Sequence, residues 1–398
     1  MLHPNSLYLD HLKPEERAFL QTTEEFCARE IAPHAAAWEE EEELPRELFA
    51  KAGRAGLMGI MAPASVGGRG FGRTCYALVI EEVARHCGAF AMNLAAHNAL
   101  CVGHPLGYAS EELKKKIFPS LVNGDWMVAW ALTEPGAGSD TGSVETRGTQ
   151  RPDGGWEVSG HKIYITMGLH SDRMIVMAVT GTNEKGKKEF SAFWIETKDC
   201  TPVRKVKTSG VRASNTSELK LERVRGELIG ARGSGQSAAL ACLDVGRIGI
   251  AAMAIGLGRA AVAVATERML TRVQFGKKLA EFQALQFKLA DCEVELRAAE
   301  ALLLPACVMS DRGQKHTLES SVAKLFASEA ASRACDRALQ ICGGWGYTRD
   351  TQVERCWRDA RLCEIGEGSS EIQRLIISRT LLKAADEKLT PKAGGPAS

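Results

Sequence analysis

Glu367 stands between two glycines in the run Gly366-Glu367-Gly368-Ser369-Ser370-Glu371-Ile372-Gln373. A carboxylate on such a loop is either a solvated turn residue or, if the loop aims it at a C–H acid, a base. Ser370 and Gln373 have capping-box spacing ahead of Ile372, Leu375, Ile376 and Leu382, which predicts a helix beginning there, with Glu367 just before it. A second segment, Trp130-Ala131-Leu132-Thr133-Glu134-Pro135-Gly136-Ala137-Gly138-Ser139-Asp140, combines two glycines and a proline with the hydroxyls of Thr133 and Ser139. It reads as a surface turn or as an irregular loop binding a flat, polar ligand. A third, Gln340-Ile341-Cys342-Gly343-Gly344-Trp345-Gly346-Tyr347, carries three glycines in four positions. These let backbone approach a ligand such as a pyrophosphate, although a helix C-cap requires only one of them.

The elements that must position these segments follow from periodicity. From Pro14 to Val122 apolar residues recur three and four apart, which predicts helices, broken at Gly67 to Gly72. After Gly136 the texture turns to short β-like runs: Trp156 to Val158, His161 to Thr166, Met174 to Thr180, Glu189 to Glu196 and Ser217 to Leu221. Long helical patterns return from Ser237 to Lys383, with an Ala- and Gly-rich stretch from Ile248 to Leu270 suited to close packing. Helices, then strands, then helices argue an α+β chain rather than alternating βαβ units. The expected organisation is an N-terminal helical domain over 1–127, a middle β domain over 128–236, a C-terminal helical domain over 237–384 and a disordered tail over 385–398. No GxGxxG follows a strand and no GxxxxGK[ST] occurs, so nicotinamide and P-loop readings lose support.

Composition narrows the partners. Among 398 residues, 50 Lys+Arg balance 49 Asp+Glu, so no bulk field favours nucleic acid or an anionic membrane. The uncharged stretch from Gly88 to Ser110 is too polar for a membrane span. Twelve cysteines are scattered without a CxxC pair, which suits reduced, buried thiols. The nine histidines are not paired at ligand spacings, so no metal site is expected. Lys114 to Lys116 and the acidic run Glu39 to Glu43 read as solvated helix faces. The first residues lack a targeting pattern, which suggests a cytoplasmic protein.

Taken in order, the three segments resemble the acyl-CoA dehydrogenase family. The TEPGAGSD loop at Thr133 to Asp140 resembles its first signature, QxxGGxGY at Gln340 to Tyr347 its second, and EGSSEIQRL at Glu367 to Leu375 its catalytic loop. Arg272 with Phe275-Gly276-Lys277, followed by Phe282-Gln283, resembles further family elements. The likeness runs from about Glu15 to about Leu382. It implies an N-terminal helical domain, a middle antiparallel β barrel or sandwich, a C-terminal four-helix bundle, a homotetramer, and FAD between the domains and across a subunit interface. By the same resemblance Trp130, Leu132, Thr133, Gly138, Ser139, Tyr164, Ile165 and Thr166 surround the isoalloxazine ring, with Gly368, Ser369 and Ser370 on the nucleotide. Arg272, Phe275, Gln283, Gln340, Gly343 and Gly344 hold the pyrophosphate and adenosine, partly from a neighbouring subunit; an arginine is a permanent cation opposite phosphate.

The implied reaction is α,β-dehydrogenation of a saturated acyl-CoA to the trans-2-enoyl-CoA. Glu367 takes the α proton, the β hydride goes to the flavin, and electrons pass to an electron-transferring flavoprotein. Donors on the thioester carbonyl, including the Glu367 N–H, act like an oxyanion hole. Ser139, Asp244, Arg247 and Gly368 contact the substrate. Some relatives place the base immediately before the arginine; here that residue is Gly246, leaving Glu367 as the matched base. Tyr164, where many members have Trp, and Gly366, where straight-chain enzymes carry Tyr, lean towards short or branched acyl groups. Four alternatives remain: an acyl-CoA oxidase using oxygen, a nitroalkane oxidase, whose pattern prefers Asp at the base position, a non-catalytic flavin-containing binding protein, whose added basic region is absent here, and a plain helical scaffold that binds no flavin.

Overall fold

The computed structural model describes Tyr8 and residues 10–389. Among the described residues, the α-helices of the first part are α1 Pro14–Phe26, α2 Ala35–Glu41, α3 Arg46–Ala55, α4 Arg73–His86, α5 Gly88–Ala96, α6 Gly103–Tyr108 and α7 Glu111–Val122. Local chemistry sets their ends. Ser110 caps α7 by accepting from the Leu113 N–H at 3.2 Å, with Glu111 and Glu112 in the first turn. The glycine run Gly67 to Gly72 ends where α4 begins. A π-helical turn, His97–Val102, follows α5.

The β domain comprises β1 Val128–Ala131, β2 Arg147–Gln150, β3 Trp156–Ile165, β4 Arg173–Thr182, β5 Lys188–Glu196, β6 Thr201–Lys205 and β7 Ser217–Ile229. Antiparallel pairing runs β2–β3–β7–β5–β4, and β4 meets β2 at Arg147 and Val179, closing the sheet on itself. The expected antiparallel barrel needs one correction: β1 and β2 both join β4 in parallel. Neither is connected to β4 by a hairpin, and only a longer crossover returns a chain in parallel. The two runs at Trp156 and His161 form one strand, β3, irregular in register at Val158/Gly160 and again between Lys162 and Ile165.

The last part comprises α8 Gly235–Thr271, a hairpin of β8 Val273–Gln274 and β9 Lys277–Lys278, then α9 Gln283–Asp311, α10 Thr317–Cys342, α11 Gln352–Cys363 and α12 Ser370–Leu389. Ala385 to Leu389, expected to be disordered, continue α12; the rest of that tail lies outside the described residues. By length and composition α8 could span a bilayer, but most of its apolar stretch is buried inside the protein, as in a core helix. Glycine explains how closely it packs: a Cβ on Gly256 would fall 2.2 Å from the Glu81 carbonyl oxygen of α4. One continuous apolar core therefore joins the N-terminal and C-terminal helices.

All twelve cysteines are buried and unpaired. One surface expectation needs revision. In the acidic run, Glu39 is buried and paired with Arg358 and Arg212 instead of facing water. The spacing argument against metal ligands passed over Cys27, Glu82 and His86, whose ligand atoms lie within 4.8 Å of one another. There Glu82 already holds His86 at 3.0 Å and Arg85 at 3.4 Å, and burial raises the Cys27 thiol, keeping it protonated.

Candidate functional site

The loop from Thr133 to Asp140 is held in place by a buried ion pair. Lys162 on β3, with no exposed surface, donates to the Glu134 carboxylate at 2.8 Å and to the Leu132 carbonyl at 2.8 Å. Glu134 also accepts from the Glu145 and Thr146 N–H groups at 2.7 and 3.0 Å, and the Ile163 N–H reaches the Thr133 carbonyl at 3.1 Å. Burial pulls Lys162 down to about 8 against the attraction of Glu134, so the pair is ionised at neutral pH. Lys162→Met leaves Glu134 buried and uncompensated. Such breaks cost about 3–5 kcal/mol, so the variant should unfold at clearly lower denaturant and bind a loop-dependent ligand poorly; an unchanged denaturation midpoint would count against the clamp.

Tyr164 sits inside the second irregularity of β3, with φ +60°. A bulge re-aims the side chain it carries, and here Tyr164 is 62% exposed at the rim of a cavity. Trp130 faces the same space, its indole N–H donating to His104 Nδ1 at 3.2 Å. Burial lowers His104 to about 4, so the ring is neutral and accepts.

The cavity measures about 930 Å³. Trp130, Leu132, Thr133, Gly138, Ser139, Tyr164, Ile165 and Thr166 line it from the β domain, and Arg247, Glu367, Gly368 and Ser369 line it from α8 and the loop before α12. Met92, Ala96, His97 and Leu100, from α5 and the π-helical turn, make an apolar end that the sequence reading missed, as it did Ile372, Leu375 and Ile376 of α12. The one available signal was the helical spacing of these residues, which a packed core shares.

Glu367 adopts φ +56° and Gly368 φ +90°. Strained backbone of this kind needs outside support, and it has it: Gln373 Nε2 donates to the Glu367 and Gly368 carbonyls at 3.2 and 2.8 Å, Lys324 Nζ to the Gly368 carbonyl at 2.7 Å. The carboxylate lies against α8, where a Cβ on Gly246 would come within 2.3 Å of Oε2. That oxygen is buried without a hydrogen-bond partner. Burial pushes the Glu367 carboxyl up to about 7, against the attraction of Arg247 and Lys324. A desolvated carboxylate facing a cavity, with a proton affinity raised by burial, is a candidate general base.

Asp244 is not part of the cavity wall. It binds Arg247 and accepts from Thr317 Oγ1 at 2.6 Å, so it orients the arginine rather than facing the space. Arg247 is buried, with Nε unpartnered. Ser370 is likewise outside the cavity and buried, its N–H on the Glu364 carbonyl at 2.9 Å. Arg272, Phe275, Gln283, Gln340, Gly343 and Gly344 are exposed and do not reach the cavity within this chain. Phe275 is 94% exposed at the tip of the β8–β9 hairpin, at φ +52° followed by Gly276 at +77°. Among the three glycines of Gln340 to Tyr347, Gly343 needs its left-handed φ of +63° to end α10, and Gly346 packs against Cys342. Gly344 meets nothing in this chain, so its small size serves no contact here.

The chain matches the family models for the N-terminal, middle and C-terminal domains of acyl-CoA dehydrogenases over residues 13–125, 129–224 and 233–382. It is 37% identical to the short-chain specific acyl-CoA dehydrogenase of Clostridium acetobutylicum over 378 residues, 94% of this chain and 99% of that one. Among solved structures, butyryl-CoA dehydrogenase from Megasphaera elsdenii superposes with a TM-score of 0.90 at 34% identity, covering 93% of this chain and 99% of that one. A chain in the structure titled for the electron transferring flavoprotein of Acidaminococcus fermentans gives 0.90 at 32% identity, covering 94% and 99%.

Proposed function

The chain belongs to the acyl-CoA dehydrogenase family, and from that premise we propose that it desaturates a short or branched acyl-CoA, with Glu367 as the α-proton base, FAD as cofactor and an electron-transferring flavoprotein as acceptor. The family makes it a flavin-dependent oxidoreductase acting on acyl-CoA thioesters. The observation that carries the finer reading is the unpartnered Oε2 of Glu367, buried at a cavity that Tyr164, Thr166, Thr133 and Ser139 also line.

Those residues fit a flavin: aromatic faces and hydroxyls suit a flat, polar ring. FAD, when bound, accepts the β hydride. Ser369 and the loop at Gly138 would hold it within one chain. The exposed Arg272, Phe275, Gln283, Gln340, Gly343 and Gly344 would serve a neighbouring copy, in a homotetramer. Glu367 removes the α proton, and its side chain and the aromatic wall must flank the acyl chain from opposite sides. Arg247, fixed by Asp244, orients the CoA portion with Ser139, while the Glu367 N–H donates to the thioester carbonyl. The apolar end at Met92, Ala96 and Leu100 excludes water from the acyl group, which sustains the raised pKa of Glu367.

Because the base must be ionised to act, reduction of the flavin by substrate should be slow below the Glu367 pKa and rise as pH climbs through about 7. Stopped-flow bleaching across pH 5.5 to 9 checks this; a rate already flat across that range, as for a base with an ordinary glutamate pKa of about 4.3, contradicts it. Anaerobic titration with butyryl-, isobutyryl-, isovaleryl- and octanoyl-CoA tests the reading as a whole. The short or branched thioesters should bleach the flavin most efficiently, and failure of all of them would overturn it. Air-driven hydrogen peroxide formation at the reduction rate would instead favour an oxidase.

A further inference from the structure

Lys324 plays no part in the reading above, yet it is one of the largest fully buried side chains in the protein, with no exposed surface. A lysine inside a helical core is costly unless its ammonium is used. It extends from the N-terminal third of α10, and its Nζ donates at 2.7 Å to the carbonyl of Gly368, the residue after the base. Gln373, also fully buried, donates to that same oxygen. Two donors from two helices thus converge on a peptide whose left-handed geometry the chain would not keep unaided.

We propose that Lys324 is a positioning residue for the reaction: its ammonium holds the Glu367–Gly368 backbone from behind and sets the proton affinity of the Glu367 carboxylate. The proposal rests on Glu367 being the base. The groups acting on that carboxylate come from several elements. Arg247 of α8 and Lys324 of α10 lower its proton affinity. Tyr76 of α4, Cys101 of the π-helical turn and Cys242 of α8 sense its charge but stay neutral, because burial raises each of them. Lys324 itself also faces Cys363 and Glu364. Among the described residues these two cations favour the ionised base, and of the two Lys324 also touches the loop that carries it.

The burial that makes Lys324 useful also makes it titratable. It is pulled down to about 8, against the attraction of Cys363 and Glu367. At neutral pH the ammonium persists, so the ionised form of Glu367, which grows as pH rises through about 7, faces a cation.

The test uses the FAD-loaded enzyme with Lys324→Met, which keeps the length and removes the charge. Removing a nearby cation raises the pKa of a carboxylate. The rise of flavin bleaching with pH should therefore move upward by about half a pH unit or more, and the rate at pH 6.5 should fall more than the rate at pH 9. Lys324→Arg should restore part of the wild-type profile. If Lys324→Met does not fold, Lys324→Gln, which keeps a donor without a charge, takes its place and should show the same upward movement. A folded, yellow Lys324→Met or Lys324→Gln enzyme with an unmoved profile overturns the proposal, since a merely structural lysine would change stability alone. Failure of the base reading shows separately, as retained bleaching in Glu367→Gln.

Discussion

Glu367→Gln is expected to fold, bind FAD and fail to bleach it with substrate, with a loss of at least ~10³-fold, in the upper part of the range for removing a general base. The amide is isosteric, so the Gln373 and Lys324 bonds, which reach backbone carbonyls, survive unchanged. The side chain itself makes no hydrogen bond through Oε2 for the amide to break. The loss would therefore fall on the chemical step rather than on assembly. Absorbance of the bound flavin on mixing with butyryl-CoA measures it, and a rate near wild type refutes the assignment.

Gly246→Ala should come next in size. Its Cβ would meet Glu367 Oε2 at 2.3 Å and Cδ at 2.7 Å, and the flexible carboxylate rather than α8 must give way. Stability should change little, because alanine suits a helix better than glycine and the displaced group is a side-chain end. Activity should fall by about 10²-fold, the scale expected when a reacting group moves by about 1 Å. Comparing thermal midpoint with bleaching rate separates the two effects. A Gly246→Ala enzyme with full activity would show that the carboxylate works from elsewhere.

The contact between Gly246 and Glu367 also shows what could be read from the sequence and what could not. Glu367 was visible as a glycine-flanked carboxylate before a helix, because helix starts and loop glycines are local signals, while Gly246 entered only through the resemblance, as the place where some relatives carry the base. That one makes room for the other depends on how α8 crosses the loop before α12, and no local pattern encodes such a crossing. Lys324 was passed over for the same reason, since its helix reads like any other around it. The long strands β3, β4, β5 and β7 announced themselves by composition. The four-residue β1 and β2 did not: both are short, and β1 takes its register from β4, a parallel partner far along the chain. The apolar end of the cavity at Met92, Ala96 and Leu100 carries ordinary helical spacing, which a packed core and a substrate pocket share. Asp244 and Ser370 were placed at the site by resemblance alone; in the structure they orient Arg247 and start α12.

The most direct measurement follows the proton rather than the colour. Wild-type enzyme incubated anaerobically in deuterium oxide with butyryl-CoA should place deuterium at the carbon next to the thioester, read by mass spectrometry of recovered substrate, whereas Glu367→Gln should leave that carbon unlabelled. Label appearing at the same rate in both proteins would mean that another group abstracts the proton.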